Sequence, residues 1–439
     1  MSSAFHLFER VGVELEYMLV DRERLAVLPA ADELLRAVAG EYTADVDAGE
    51  LTWSNELVLH VIELKSTGPA ASFDGLADYF QRDVRRMNET LAPRGGQLMP
   101  TGMHPWMDPL TETKLWPHEC SPVYAAFDRI FNCKGHGWAN VQSSHLNLPF
   151  CGDEEFGRLH AAIRLVLPIL PALAASSPIV DGHATGVADT RLEVYRSNSR
   201  RIPSVAGHVI PEPVFTPQDY QKRILHKIYR DLAPHDPEGI LREEWANARG
   251  AIPRFERDTI EIRVLDIQEC PQADLAILRL LVAVLRALAA ERWTSYVEQC
   301  NWPVTPLEEV FLATIEEGDQ AVVADEDYLR QFGLTEPKRC TAGTLWQHLA
   351  ETVLTPAERE SGEFAPLKVI LHEGCLARRI LKALGGQTER EQVAAEREQI
   401  AAVYRRLCAC LAEGRMFHAE RLGSVPAVRA QRPAPARGR

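Results

Sequence analysis

The 439-residue chain lacks any long apolar run. Its longest charge-free stretch, Leu165 to Val180, is shorter than the ~20 residues a membrane span needs and contains Pro168, Pro171 and Pro178. Met1 to Glu9 has no basic segment followed by an apolar one, so no secretory signal is expected there. Cysteine is sparse: nine residues, an odd number, form no framework of regular spacings, which suits small buried side chains in a reduced compartment and leads us to expect a cytoplasmic protein. Positive charge is also short, with Lys+Arg 48 against Asp+Glu 62 and a net charge of −14. Such a surplus repels phosphate backbones, and basic residues cluster only at the extreme C-terminus, so nucleic acid and membrane surfaces are not expected partners. The sequence has no G-x-S-x-G elbow, no G-x-x-x-x-G-K-[ST] loop and no G-x-G-x-x-G fingerprint.

What is present reads as a mixed α and β protein. Val11 to Val20 alternates as a strand, Asp32 to Val38 reads as a short helix, Leu57 to Leu64 as a second strand region, and Leu76, Phe80, Val84 and Met87 mark a helix capped near Ser72 and Asp74. A helix over Pro122 to Phe131 and a strand over Asn140 to Leu148 follow, then an apolar helical segment from Glu154 to Ala175 interrupted by prolines. Asp181 to Pro213 reads as a long loop carrying Arg191, Arg196, Arg200 and Arg201, and loops of that length are usually functional. Thr216 caps a helix running to Leu232, Thr259 to Asp266 is a strand, and Gln272 to Val297 is a long buried helix. Beyond Pro306 only helices are expected: Leu307 to Ile315, Asp327 to Phe332, Thr344 to Val353, Leu367 to Leu384 and Glu389 to Leu411. The pattern divides the chain into a catalytic unit (1–305), a helical C-terminal region (306–422) that either packs on it or extends an oligomer, and a Pro/Ala/Arg-rich tail (423–439) expected to be disordered.

Charged residues inside otherwise apolar strands carry the functional signal. In Val13-Glu14-Leu15-Glu16-Tyr17 the two acids project from one side, because side chains alternate with period two. Burying parallel carboxylates costs several kcal/mol per ion unless a cation neutralises them, so the pair is either a metal site or a solvated outer face. Thr259 to Leu265 repeats the arrangement, with Glu261 and Arg263 opposite Ile260, Ile262 and Val264. An acid beside an arginine suits a metal-bound phosphate; the alternative is a surface ion pair. Glu56 and Glu63 bracket an apolar run, and their odd spacing puts them on opposite faces of a straight strand, so a bulge or a loop position for Glu56 is required before both point inward. His145 reads either as a hydrogen-bonded structural histidine or as a ligand. An oxygen-rich set of this kind favours Mg²⁺ or Mn²⁺ over zinc.

Gly12-x-Glu14-x-Glu16, Glu56 and Glu63 ahead of Ser-Thr-Gly-Pro, Ser-Ser-His145-x-Asn147 and Ile-Glu261-x-Arg263-x-Leu-Asp266 together resemble the glutamate–cysteine ligase type 2, or carboxylate–amine ligase, family, over roughly Phe8 to Ala290. The resemblance implies the fold of the glutamine synthetase and guanido kinase superfamily: an α+β protein with an antiparallel sheet curved into a half-barrel funnel and helices on its outer side. It implies ATP with two or three Mg²⁺ (or Mn²⁺) ions, Glu16, Glu56 and Glu63 holding one ion and Glu14, His145 and Glu261 another. Arg263 would touch the transferring phosphoryl group, Arg200 and Arg201 would contact phosphate or substrate carboxylate, and Asn147 and Asn198 would face the nucleotide. The implied activity is an ATP-dependent ligase joining a small carboxylate, glutamate by default, to an amine through an acyl phosphate.

Three rival readings stand beside it. His118-x-Cys120 with Cys133-x-x-His136 supplies four potential zinc ligands, and Cys133 with His136 a thiol and a base. The third keeps the fold but not the chemistry, as a silent binding protein. Within the enzyme class, a guanido phosphotransferase differs by leaving a stable phosphorylated product.

Overall fold

The computed structural model describes residues 5–386 and 397–419. Eight strands form one antiparallel sheet: β1 (Gly12–Asp21), β2 (Asp45–Asp47), β3 (Leu51–Asn55), β4 (Val61–Ser66), β5 (Gly96–Met99), β6 (Ser143–Pro149), β7 (Ala251–Arg254) and β8 (Thr259–Asp266). Their order is β2-β3-β4-β1-β6-β8-β7, and β5 pairs with the second half of β1 where β6 leaves off. The architecture is thus the expected α+β class built on an antiparallel sheet, with β1 at its centre.

Alternation along the strands decides which face does what. Val13, Leu15, Trp53, Leu64, Leu146 and Ile262 all point to one side and form a single core with α1 (Ala31–Ala39), α2 (Leu76–Leu91), α3 (Gly152–Val166) and α4 (Pro271–Ala289). The opposite face carries Glu14, Glu16, Glu63, His145 and Glu261. That face is polar only over part of its length, since Met18 and Val20 share the parity of Glu14 and Glu16 yet are fully buried beneath α5 (Leu376–Ala383) and α6 (Arg397–Glu413), against Ile380, Ile400, Val403, Tyr404 and Leu407. Helices from beyond residue 306 therefore share the core of the sheet. Trp346 Nε1 donates to the Ile169 carbonyl (2.7 Å), Tyr328 hydroxyl donates to the Leu165 carbonyl (2.7 Å), and Arg379 forms a fully buried ion pair with Glu269.

Several local expectations are corrected. Leu57 to Leu64 is not one strand: the chain leaves β3 at Asn55, loops through Glu56 to His60 and re-enters as β4 at Val61, because Leu57 and Leu59 exchange backbone hydrogen bonds with Trp116 and Lys114 instead of a sheet neighbour. The Asp181 to Pro213 segment is not all loop, as Thr190–Asn198 is helical and Asp189 caps it by accepting from the Leu192 amide (2.9 Å). The long helix after β8 stops at Ala289 instead of Val297, and Tyr296–Cys300 begins anew behind a Ser295–Glu298 capping box. The Leu367 to Leu384 helix is two, divided by Gly374 at φ 98°, a conformation that disfavours any side chain. Short strands Val322–Val323 and Cys340–Thr341 pair within the supposedly all-helical region. The tail at 423–439 lies outside the described residues, as does the start of the Glu389 to Leu411 helix. No helix among the described residues is long and apolar enough to cross a membrane.

Candidate active site

On the polar face of the sheet lies a cavity of about 620 Å³. The pairing register builds it: Glu14 lies opposite His145 on one side and Lys65 on the other, Glu16 lies opposite Glu63, and Glu261 lies opposite Asn147. Four strands thus deliver their charged side chains to one patch. Glu16 accepts from the Ser143 amide (2.6 Å) and hydroxyl (3.0 Å), Ser143 Oγ meets His145 Nε2 (2.9 Å), His145 Nδ1 meets Glu14 Oε2 (2.9 Å), and Asn147 Nδ2 donates to Glu14 Oε1 (3.0 Å). Glu14, His145 and Glu261 offer ligand atoms that all lie within 4.8 Å of one another, and they are the one such His/Cys/Asp/Glu group among the described residues.

The solvated-face reading fails here, for Glu16 is 8%, Glu63 7%, His145 6% and Glu261 3% exposed. Glu56 joins them from the loop after β3, which resolves its odd spacing from Glu63. Glu261 is answered by cations: Arg263 donates to it through Nη2 (2.5 Å) and Nε (3.1 Å), and Arg254 through Nη1 (3.0 Å). Burial raises the carboxyl of Glu14, but its hydrogen bond to His145 and the charges of His145, Lys65 and Arg263 win and hold it at about 2. Burial likewise opposes the charged form of His145, and Glu16 and Glu14 overcome it, pushing the imidazole up to about 9. Glu63 and Glu56 are not compensated in this way. Burial and the charges of Glu14 and Glu16 lift Glu63 to about 7 despite Lys65 at 3.1 Å, and burial with Glu16 and Glu63 pushes Glu56 well above the carboxylate range. Buried acids driven toward protonation, in an oxygen-rich set with one imidazole, are what a hard divalent cation relieves, so the donor set fits Mg²⁺ or Mn²⁺.

Other expected site residues are distributed unevenly. Asn198 lines the cavity, although its Nδ2 donates to the Gly137 carbonyl (2.9 Å). Arg200 and Arg201 are exposed and do not line it; Arg201 Nη1 donates to the Ile130 carbonyl (2.7 Å). The sequence reading missed Lys65, Arg191, Arg254 and Arg257, which do line it. Lys65 was discoverable, since it shares the parity of Glu63 along β4. Arg191, 2% exposed, is held by an ion pair to Asp266, which also accepts from the Ser176 amide (2.8 Å) and the Ser177 hydroxyl (2.7 Å). Its Nη2 has no hydrogen-bond partner among the described residues, leaving a buried donor available to an anion.

The zinc and thiol alternatives are not assembled. His118 Nε2 meets Asp32 (3.0 Å), His136 Nδ1 meets Asn140 (3.0 Å), Cys120 is exposed, and burial, with Asp128 nearby, pushes the buried Cys133 thiol up to about 12. A thiol so raised is not a nucleophile near neutral pH. Replacing Cys133 by alanine should leave turnover within about twofold of the parent, measured as ADP release; loss of all turnover in a folded variant would restore the thiol reading.

Comparison with known proteins gives a family and a fold. A family model described as glutamate–cysteine ligase family 2 (GCS2) matches residues 10–405. An uncharacterized protein of Archaeoglobus fulgidus is 38% identical over 278 residues, 63% of this chain and 74% of its own. A Rubrobacter xylanophilus protein with the provisional name glutamate–cysteine ligase 2-3 is 30% identical over 189 residues, 42% of this chain and 48% of its own. Among solved structures, glutamate–cysteine ligase from Francisella tularensis in complex with AMP matches with a TM-score of 0.58 at 11% identity, over 93% of this chain and 90% of that one. A bifunctional glutathione synthetase from Pasteurella multocida matches with a TM-score of 0.53 at 14% identity, over 92% of this chain and 52% of that one. At those identities the likeness is one of fold.

Proposed function

This chain belongs to the glutamate–cysteine ligase family 2, and from that premise we propose that it is an ATP-dependent carboxylate–amine ligase. The observation that carries the reading is the set of Glu16, Glu63, His145 and Glu261, buried, with Glu14 and Glu56, half-buried, around one cavity with Arg263, Arg254 and Arg191. The AMP complex of the Francisella enzyme supports a nucleotide substrate. Glu14, His145 and Glu261 would hold one divalent ion and Glu16, Glu56 and Glu63 another. Bound there, the ions supply charge neutralisation between the acids and the nucleotide phosphates.

The chain's own groups do the rest by positioning. Arg263, oriented by Glu261, presents its guanidinium to the transferring phosphoryl oxygens, and the free Nη2 of Arg191 takes an oxygen of the substrate carboxylate. The carboxylate attacks the γ-phosphorus, ADP leaves, and the acyl phosphate is captured by the amine with release of phosphate. No side-chain nucleophile is needed. Hydroxylamine is a small amine that should capture the acyl phosphate as a hydroxamate, so the test is a panel of carboxylates, glutamate first, with MgATP and hydroxylamine. Hydroxamate with one ADP per product supports the reading. A stable phosphorylated product instead identifies a phosphotransferase, and neither product together with no MgATP-dependent thermal shift identifies a silent fold.

Proton release accompanies ion uptake under this reading. Glu63 at about 7 is largely protonated in the metal-free protein near pH 6, burial and the neighbouring acids raise Glu56 as well, and ligands must be ionised to bind. Mg²⁺ affinity should therefore rise with pH through about 7, with protons released on binding, read by calorimetry in buffers of differing ionisation heat. Affinity independent of pH between 6 and 8 would contradict the ligand role of Glu63.

A further inference from the structure

Resting on the ligase reading, we propose that the aromatic wall of the cavity is the amine subsite, and that the amine carries a large apolar or aromatic group in place of the small side chain of cysteine. The register of the sheet gives the cavity two ends. Lys65 opposite Glu14, and Arg254 opposite Thr259, lie where β1 and β8 begin, which is the basic end that draws phosphates. At the other end β3 stops at Asn55 beside Tyr124 of helix Ser121–Phe131, and from there a roof made by that helix, the turn His136–Ala139 and the turn Glu244–Ala246 crosses the cavity to the strand that carries Arg254.

That roof is aromatic. Phe127 sits 5.4 Å from Trp138 and 5.8 Å from Trp245 between ring centroids, and Trp138 stacks on Phe131 at 5.4 Å. All three cavity-lining rings are only half-buried, so apolar ring surface faces the open space. Two polar atoms of this wall are engaged within the protein: Trp138 Nε1 donates to the Asn198 carbonyl (3.3 Å), and the Tyr124 hydroxyl accepts from Asn55 Nδ2 (2.9 Å). Val123 and Val205 complete a surface that offers contact area and little hydrogen bonding.

The reaction assigns this roof to the amine. With the phosphates and the acyl group held against the acids and cations of the sheet, the free approach to the acyl carbon is from the aromatic roof that faces them. The amine lone pair forms the C–N bond, the C–O bond to phosphate breaks with its electron pair leaving on inorganic phosphate, and the departing phosphate takes the amine proton. Cysteine would leave most of the ring surface uncovered, whereas a phenyl or indole group covers it.

The experiment measures ADP release and amide mass with the carboxylate that yields a hydroxamate, using alanine, cysteine, leucine, phenylalanine and tryptophan as amines. We expect kcat/KM for phenylalanine or tryptophan to exceed that for alanine and cysteine at least tenfold. Trp138→Ala and Trp245→Ala, two variants in case one misfolds, should each cut that ratio at least fivefold. Hydroxamate formed with hydroxylamine, but amide formation with cysteine or alanine equal to or faster than with phenylalanine and tryptophan, overturns the proposal and leaves the ligase reading intact. Variants that instead raise the KM for ATP tenfold with the amine ratio unchanged assign the wall to the adenine and also overturn it. Absence of hydroxamate with every carboxylate removes the ligase reading and this proposal with it.

Discussion

Replacing Glu261 by alanine should reduce ligation by at least about 10³-fold and lower the melting temperature. The carboxylate is 3% exposed and receives three hydrogen bonds from Arg263 and Arg254. Taking away one partner of a buried pair leaves the other charge uncompensated, at about 3–5 kcal/mol for fully buried pairs. Arg263 and Arg254 keep 23% and 20% of their side-chain exposure, so water softens the loss and we expect about 2 kcal/mol. Sequence reasoning alone points the other way, since an acid in a cluster of repelling carboxylates looks like a group whose removal stabilises; its arginine partners reverse the sign. Glu261→Gln separates the two effects. It keeps one acceptor for Arg263 and should recover much of the stability, but it removes the charge that binds metal and orients the guanidinium, so turnover stays lost. Denaturation melts beside ADP release check this, and near-normal turnover in Glu261→Ala would sink the metal and phosphoryl assignments together.

Glu56→Gln should do the opposite to stability. Glu56 sits on a loop, within the fields of Glu16 and Glu63, and the cavity cations His145 and Lys65 do not outweigh its burial and those fields. Its carboxyl is raised in the folded chain, so the folded state holds the proton that the unfolded state has released, and the metal-free protein loses stability as pH rises above the ordinary value of 4.5. Glutamine, neutral and of the same shape, escapes this penalty. At pH 8 in chelator the variant should be the more stable protein by at least about 1 kcal/mol, and at pH 4, where the carboxyl is protonated in both states, the two should melt together. Adding Mg²⁺ should restore the order in favour of the parent, since only the parent has the full ligand set, and turnover of the variant should fall at least about 10²-fold. A variant less stable than the parent in chelator at pH 8 would show that Glu56 is compensated in the metal-free fold.

Much of the fold and the acid set was legible because strand alternation is local. Glu14 with Glu16, and Glu261 with Arg263, share a face by period two alone, and the apolar residues between them bury the other face whatever the rest of the chain does. Helices α2 and α4 announce themselves by apolar spacing for the same reason. Thr190–Asn198 did not, because it buries only its first turn and has no apolar stripe; the Asp189 cap was its one local sign. The rest depends on partners far apart in sequence. Register set Glu14 against both Lys65 and His145, the loop after Asn55 turned Glu56 inward, and Asp266 with Ser176 and Ser177 carried Arg191 into the cavity in place of the exposed Arg200 and Arg201. Local alternation alone marked which residues could not rest in an apolar core without an ion. The packed sheet decided which of them meet, because whether a buried charge is paired or repelled is set by neighbours that only folding brings within a few ångströms.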